Sequence, residues 1–127
     1  MRKRDNQATK DLRTILGEIR AQRLAAFELI ASGTAPTDKQ LANLHGRIAV
    51  IVRSFDPLRD SRADLADAID RLVPGMADLK RCFAYEYHTR LNEHPDDMGA
   101  VRLLHGSLTA AMDTLIEHLR SEGLPTE

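Results

Sequence analysis

Leu41, Leu44, Ile48, Ile51 and Phe55 follow one another at alternating steps of three and four residues. That spacing puts all five on one side of an α-helix, whereas in a strand it would scatter them over both faces. The same spacing recurs along the chain. No Val, Ile or Thr alternation of period two lasts the length of a strand. The chain is therefore expected to be all-α.

Breaks between the stripes give five helical segments. The first is predicted from about Asn6 to Ser32, with Leu12, Ile15, Leu16, Ile19, Phe27 and Ile30 facing inward and Gly33 as its stop. The second begins at Thr37, because Thr37-Asp38-Lys39-Gln40 has the form of a capping box, and Asp56-Pro57 ends it. A short third helix is capped by Ser61, carries Leu65, Ile69 and Leu72, and is broken by Pro74-Gly75. The fourth spans about Met76 to Asn92, with Met76, Leu79, Phe83 and Tyr87 or Leu91 inside. His94-Pro95-Asp96-Asp97 opens the fifth, since proline and carboxylates favour a helix N-terminus. It runs to about Ser121 on Val101, Leu104, Leu108, Leu115 and Leu119. Short connections favour antiparallel neighbours. The expectation is one domain over residues 1–127, an up-and-down bundle of four to five helices, with residues 1–5 and 123–127 loose.

Composition narrows the class further. At 127 residues, 43% apolar and 29% charged, the chain suits a single folded core. No apolar run approaches the roughly 18 residues of a membrane span, and Met1-Arg2-Lys3-Arg4 leads into polar residues rather than a secretory segment. The one cysteine, Cys82, has no internal disulfide partner. These features suit a cytoplasmic protein with no membrane association.

Charge is unevenly spread. Residues 1–30 carry seven Lys/Arg against four Asp/Glu, while residues 91–127 carry two against seven. A basic head and an acidic tail can pair with each other, with another copy, or with a charged partner. Lys10, Arg13 and Arg20 fall on one side of helix 1, preceded by Arg2, Lys3 and Arg4. Such a line can track a phosphate backbone. Aromatic residues make up only 4%, so base stacking is poorly provided for and any such binding would be sequence-tolerant.

Gly46 raises a separate question. Leu41-Ala42 followed by Gly46 and Val52 partly matches a helix-turn-helix, but His45 and Arg47 occupy the places beside the glycine that such a motif makes apolar. A single amphipathic helix accounts for more of the stretch. Leu44-His45-Gly46 also recurs as Leu104-His105-Gly106. Because glycine lets helix backbones approach closely, helices 2 and 5 are expected to pack together at Gly46 and Gly106.

Enzyme chemistry finds little support. The five histidines, His45, His88, His94, His105 and His118, include no pair four apart on one helix, and no Glu-x-x-His occurs. Neither a metal nor another cofactor is expected. There is no glycine-rich phosphate loop and no Gly-x-Ser-x-Gly elbow. Neither His45 nor His105 has the lysine-glycine pair that usually follows the histidine of a phosphotransfer domain. Cys82 beside Phe83 reads as a small buried hydrophobe. Arg81 and His88, with six residues between them, resemble the permissive Arg-x4-6-His ribonuclease pattern of HEPN domains, which are helical bundles. In size and helicity alone, the chain also resembles the small helical subunits of RNA-guided CRISPR effector complexes.

The expectation is a small non-catalytic subunit or regulator that works by protein–protein association, alone as an oligomer or within a larger complex. Val50, Val52 and Leu103, which lie off the main stripes, are its candidate contact residues. A backbone-binding nucleic-acid subunit is the alternative. A HEPN-like ribonuclease or a helix-turn-helix regulator stands further off.

Overall fold

The computed structural model describes residues 3–83 and 97–124. Its elements are α1 (Lys3–Ser32), α2 (Asp38–Phe55), a 3-10 turn (Asp56–Leu58), α3 (Ala63–Asp70), α4 (Leu72–Phe83) and α5 (Asp97–Ser121). Neighbouring helices pack in the cycle α1–α2–α4–α5 and back to α1, while α3 lies across one end against α2, α4 and α5. Arg23 meets Thr109 and Phe27 meets His105, so four residues forward along α1 match four back along α5. The bundle is all-α and up-and-down.

Local chemistry sets the helix ends. Gly33 takes φ +70°, a left-handed conformation that stops α1. The expected capping box opens α2: the Gln40 amide donates to Thr37 Oγ1 at 3.1 Å, and the Thr37 amide donates to Gln40 Oε1 at 2.9 Å. At the far end of α5, Gly123 takes φ +74°. The Leu124 amide donates to the Leu119 carbonyl, and the Gly123 amide to that of Arg120. This is a Schellman closure, and Leu124 completes it by packing against the core. Gly123 and Leu124 are therefore tied down rather than loose. At the other terminus α1 is already helical at Lys3, inside the stretch expected to be loose.

The boundary between α3 and α4 differs from expectation. Pro74-Gly75 does not break a helix. It lies in the first turn of α4, where proline's missing N–H has no helical acceptor to lose. Only Arg71 separates the two helices. Nor does Ser61 cap α3. Arg62 holds the cap position, and the Ser61 hydroxyl donates back to the Leu58 carbonyl at 3.2 Å. The segment 84–96, with the expected end of helix 4 and its Tyr87 and Leu91, lies outside the described residues.

One core runs the length of the bundle. Leu12, Ile15, Leu16, Ile19, Leu41, Leu44, Ile48, Ile51 and Phe55 are buried, as are Leu65, Ile69, Leu72 and Leu79 and the five apolar residues expected on α5. Ile30, Met76 and Phe83 are partly buried and pack against this core, and Phe27 alone of the expected residues described stands outside it. It is 53% exposed, and Ala26 takes the inward position in its place. One residue of helix turns a side chain by about 100°, which is enough to carry the larger ring out of the core and leave the smaller group at the interface.

The cycle of neighbours also overturns the glycine expectation. Helices α2 and α5 are diagonal partners and do not pack along each other. A Cβ added at Gly46 or at Gly106 would meet nothing within 4 Å. The glycine at a close approach is Gly75, where an added Cβ would lie 2.7 Å from Leu104 Cδ1 and 3.8 Å from its Cα.

Candidate interaction surface

Helix α1 carries two stripes. The first faces the core. The second begins at Lys10 and continues through Arg13, Gly17, Arg20, Leu24 and Phe27, again at steps of three and four. Lys10 and Arg13 are exposed, Arg20 is half-buried, and Leu24 and Phe27 are 56% and 53% exposed. The basic residues picked out from sequence thus stand in one row, spanning about 15 Å of helix from Lys10 to Arg20. Lys3 and Arg4 lie in the first turn of α1, and Arg2 lies outside the described residues.

Helix α5 has an outer row of its own. Leu103, Gly106, Ala110, Asp113 and Glu117 follow at steps of three and four, on the side away from Leu104, Leu108 and Leu115. Leu103 is 67% exposed, and Asp113 and Glu117 are also exposed. Arg102 and Arg120 stand about 60° off this row, toward the α1 side. The antiparallel register puts the acidic end of the α5 row at the same end of the bundle as the basic end of the α1 row. Leu103, Leu24 and Phe27 gather toward the other end. Among the described residues, Lys10, Arg20, Asp113 and Glu117 make no ion pair.

The ion pairs cluster instead where α3 meets the end of α5. Arg62 reaches Glu122 at 2.6 Å and Asp64 at 3.0 Å, and His118 Nδ1 lies 3.1 Å from Asp64. The hydrogen bond to Glu122 is the main reason the Arg62 guanidinium is held above its ordinary range. Partial burial pushes the Asp64 carboxyl up, but the bond to Arg62 and its charge outweigh that and hold it below the ordinary value. Arg59 forms a fork with Asp70 at 2.9 and 3.1 Å, with its guanidinium 5.7 Å from the Phe55 ring centroid. These pairs join the 3-10 turn to α3 and α3 to the end of α5, which is a structural task.

Of the candidate catalytic groups, Cys82 and Arg81 lie among the described residues. Cys82 is buried, and its thiol is pushed up to about 12, first by burial and then by the Asp97 carboxylate. A thiolate is the nucleophilic form, so this cysteine is inert at neutral pH. Arg81 pairs with Asp78 one turn away, while His88 lies outside the described residues. His94 lies there too. No group of three His, Cys, Asp or Glu that could hold a metal occurs among the described residues. Gly46 sits within an unbroken α2, so there is no turn of the helix-turn-helix kind.

The two Leu-His-Gly copies share an environment. His45 makes an edge contact with Phe83 at 5.4 Å between ring centroids, and His105 lies 6.2 Å from Phe27. Burial, and then the charge of Lys80, holds the His45 imidazole below its ordinary value. The buried Nε2 of His105 has no hydrogen-bond partner among the described residues. An open groove of about 560 Å³ separates α1 from α2, lined by Gln22, Glu28, Gln40, Asn43 and Arg47 among others. Its walls are part polar and part apolar, with Leu29 and Leu44 among them, and the hydroxyl of Ser32 at its rim donates to the Leu29 carbonyl at 2.7 Å.

Of the contact residues expected from sequence, Leu103 and Val50 are exposed, but they stand on the diagonal helices α5 and α2 and form no single patch. Val52 packs against the core. Leu24, Phe27 and Val73 are the surface apolar residues that the sequence reading missed, the first two side by side on α1. The signal for these two was present as a second three-four stripe on helix 1, hidden because Phe27 also lies within reach of the first. No protein-family model matches this chain, and no curated protein or solved structure matches it. Among the described residues, no helix is long and apolar enough to cross a membrane.

Proposed function

We propose that this protein is a small non-catalytic helical subunit or regulator that works by protein–protein association. One observation carries the reading. Leu24, Phe27 and Leu103, each more than half exposed, lie on the outer side of the adjacent helices α1 and α5. Single exposed leucines are ordinary, but three large apolar side chains set in two heptad-like rows have the form of a contact face. A lone thiol, buried and unreactive, fits a reducing compartment such as the cytoplasm.

Affinity capture of the tagged chain from its own cells, after nuclease treatment, tests the proposal. The wild-type chain is expected to retain a stoichiometric protein partner or a second, untagged copy. Leu24→Asp with Phe27→Asp is expected to release it while leaving the helical circular dichroism unchanged. A chain that emerges alone, at the monomer mass, refutes the association reading.

The row Lys10, Arg13 and Arg20 favours a second reading, a sequence-tolerant nucleic-acid-backbone binder. It predicts oligonucleotide affinity that falls steeply between about 50 and 200 mM salt and is lost with Arg13→Ala plus Arg20→Ala. Retention of affinity in that double variant would remove it.

A further inference from the structure

We infer that the association partner is a second copy of this chain, held across the α1–α5 face about a two-fold axis parallel to the bundle. This rests on the association reading and specifies its partner. The argument is complementarity along the two rows. In chain order the α1 row is basic, then small at Gly17, then apolar at Leu24 and Phe27. Against chain order the α5 row is acidic at Glu117 and Asp113, then small at Ala110 and Gly106, then apolar at Leu103. The two rows therefore match when α1 of one copy lies antiparallel to α5 of another.

The symmetry operation supplies that arrangement. A two-fold axis parallel to the helices keeps every residue at its own height along the bundle. It exchanges the lateral positions of the facing helices, so α1 meets the other copy's α5 and α5 meets the other copy's α1. Within one chain α1 and α5 are already antiparallel, so both cross-pairs are antiparallel too. The register within the chain, Arg23 beside Thr109 and Phe27 beside His105, then fixes which residues meet. Arg20 comes level with Asp113 of the second copy, Arg13 lies two residues from the level of Glu117, Lys10 comes level with Glu122, which Arg62 already holds, and Leu24 and Phe27 come level with the stretch from His105 to Leu108, one turn from Leu103. Gly106 and Ala110 leave room for the larger α1 side chains. Lys10, Arg20, Asp113 and Glu117 make no ion pair within the described chain, so pairing Arg20 with Asp113 does not have to break an existing one. The contact is isologous and closes at two copies.

Light-scattering mass on a sizing column and a charge-swap series test this. Wild type is expected at twice 14.2 kDa at low salt. Arg20→Glu alone and Asp113→Arg alone are each expected to weaken self-association at least tenfold. The double variant, Arg20→Glu with Asp113→Arg in one chain, is expected to restore the dimer, because each new arginine meets a new glutamate. Cross-linking gives an independent readout. Arg20→Cys protein mixed with Asp113→Cys protein is expected to form a covalent mixed dimer on mild oxidation, with the buried Cys82 taking no part. A monomeric wild type, or a double variant no better than either single change, overturns the two-fold pairing. So does a ladder of larger species. A monomer that still captures a different protein from cells leaves the association reading intact and removes only self-pairing. A monomer that captures nothing removes both.

Discussion

Replacing Gly46 and Gly75 with alanine, one at a time, should move stability in opposite directions. Both glycines are helical, and alanine inside a helix is favoured over glycine by about 1 kcal/mol. At Gly46 nothing opposes this gain, because a new Cβ has no neighbour within 4 Å and the position is exposed. Gly46→Ala is therefore expected to stabilise the fold by about 0.5–1 kcal/mol. At Gly75 the new Cβ would stand 2.7 Å from Leu104 Cδ1. Leu104 is 0% exposed, so its side chain has to displace other core atoms to yield. Overpacking of that kind costs about 1–3 kcal/mol. Gly75 also lies in the first turn of α4, where helix propensity counts for less. Gly75→Ala is expected to lose about 1 kcal/mol net, and Gly75→Val about 3 kcal/mol. Urea unfolding followed at 222 nm, at one protein concentration, measures both. The sites are distant, so the double variant should show the sum. Destabilisation by Gly46→Ala, or a gain at Gly75, would refute the assignment of Gly75 rather than Gly46 as the close-packing glycine.

Two further predictions concern the charged groups. Arg62→Ala is expected to cost about 1–2 kcal/mol, because it frees Glu122 and Asp64 together and detaches α3 from the end of α5; a loss below about 0.3 kcal/mol would show that the cluster is only a surface contact. Burial, and then the charge of Lys80, holds the His45 imidazole below its ordinary value in the folded chain. The unfolded chain takes up that proton first as pH falls, so this contribution is complete above about pH 6.5 and drains away below it. His45→Gln should flatten the fall in stability between about pH 7.5 and 5.5, and parallel curves for the two proteins would refute the assignment.

The helices were legible because each carries a long three-four stripe, and the α2 capping box and the α1 stop at Gly33 follow directly from residue chemistry. Three features were not. Pro74-Gly75 has the form of a breaker in sequence, yet proline is equally at home in a first helical turn, and only the packing of α4 on α5 decides between these uses. Gly46 and Gly106 share a tripeptide, but a repeat does not say which helices are neighbours. The diagonal placement of α2 and α5 comes from the closure of the whole cycle. Phe27 lies at a boundary position where local spacing allows either face. The contact with His105 holds its ring at the surface, and Ala26 fills the inward place.

The repeat nonetheless marks a real equivalence. His45 on α2 leans on Phe83 of α4, and His105 on α5 leans on Phe27 of α1. Half a turn about the bundle axis, carrying α1 to α4 and α2 to α5, relates the helices that make these two contacts, while the ring planes meet at 71° in one and 40° in the other. Buried positions follow the same operation: Leu41, Leu44, Ile48 and Phe55 correspond to Val101, Leu104, Leu108 and Leu115. The outer rows do not. The positions on α2 equivalent to Leu103, Gly106, Ala110 and Asp113 are Asn43, Gly46, Val50 and Arg53, and that of Glu117 falls on Pro57 in the 3-10 turn beyond α2. The interior constraint is shared by both halves, while the acidic run is found on α5 alone. A chain whose two outer faces both complemented themselves would grow without limit, because each added copy would present a fresh face. Complementarity confined to the α1–α5 face ends the assembly at two, so the mass distribution tests this difference between the halves as directly as it tests the pairing.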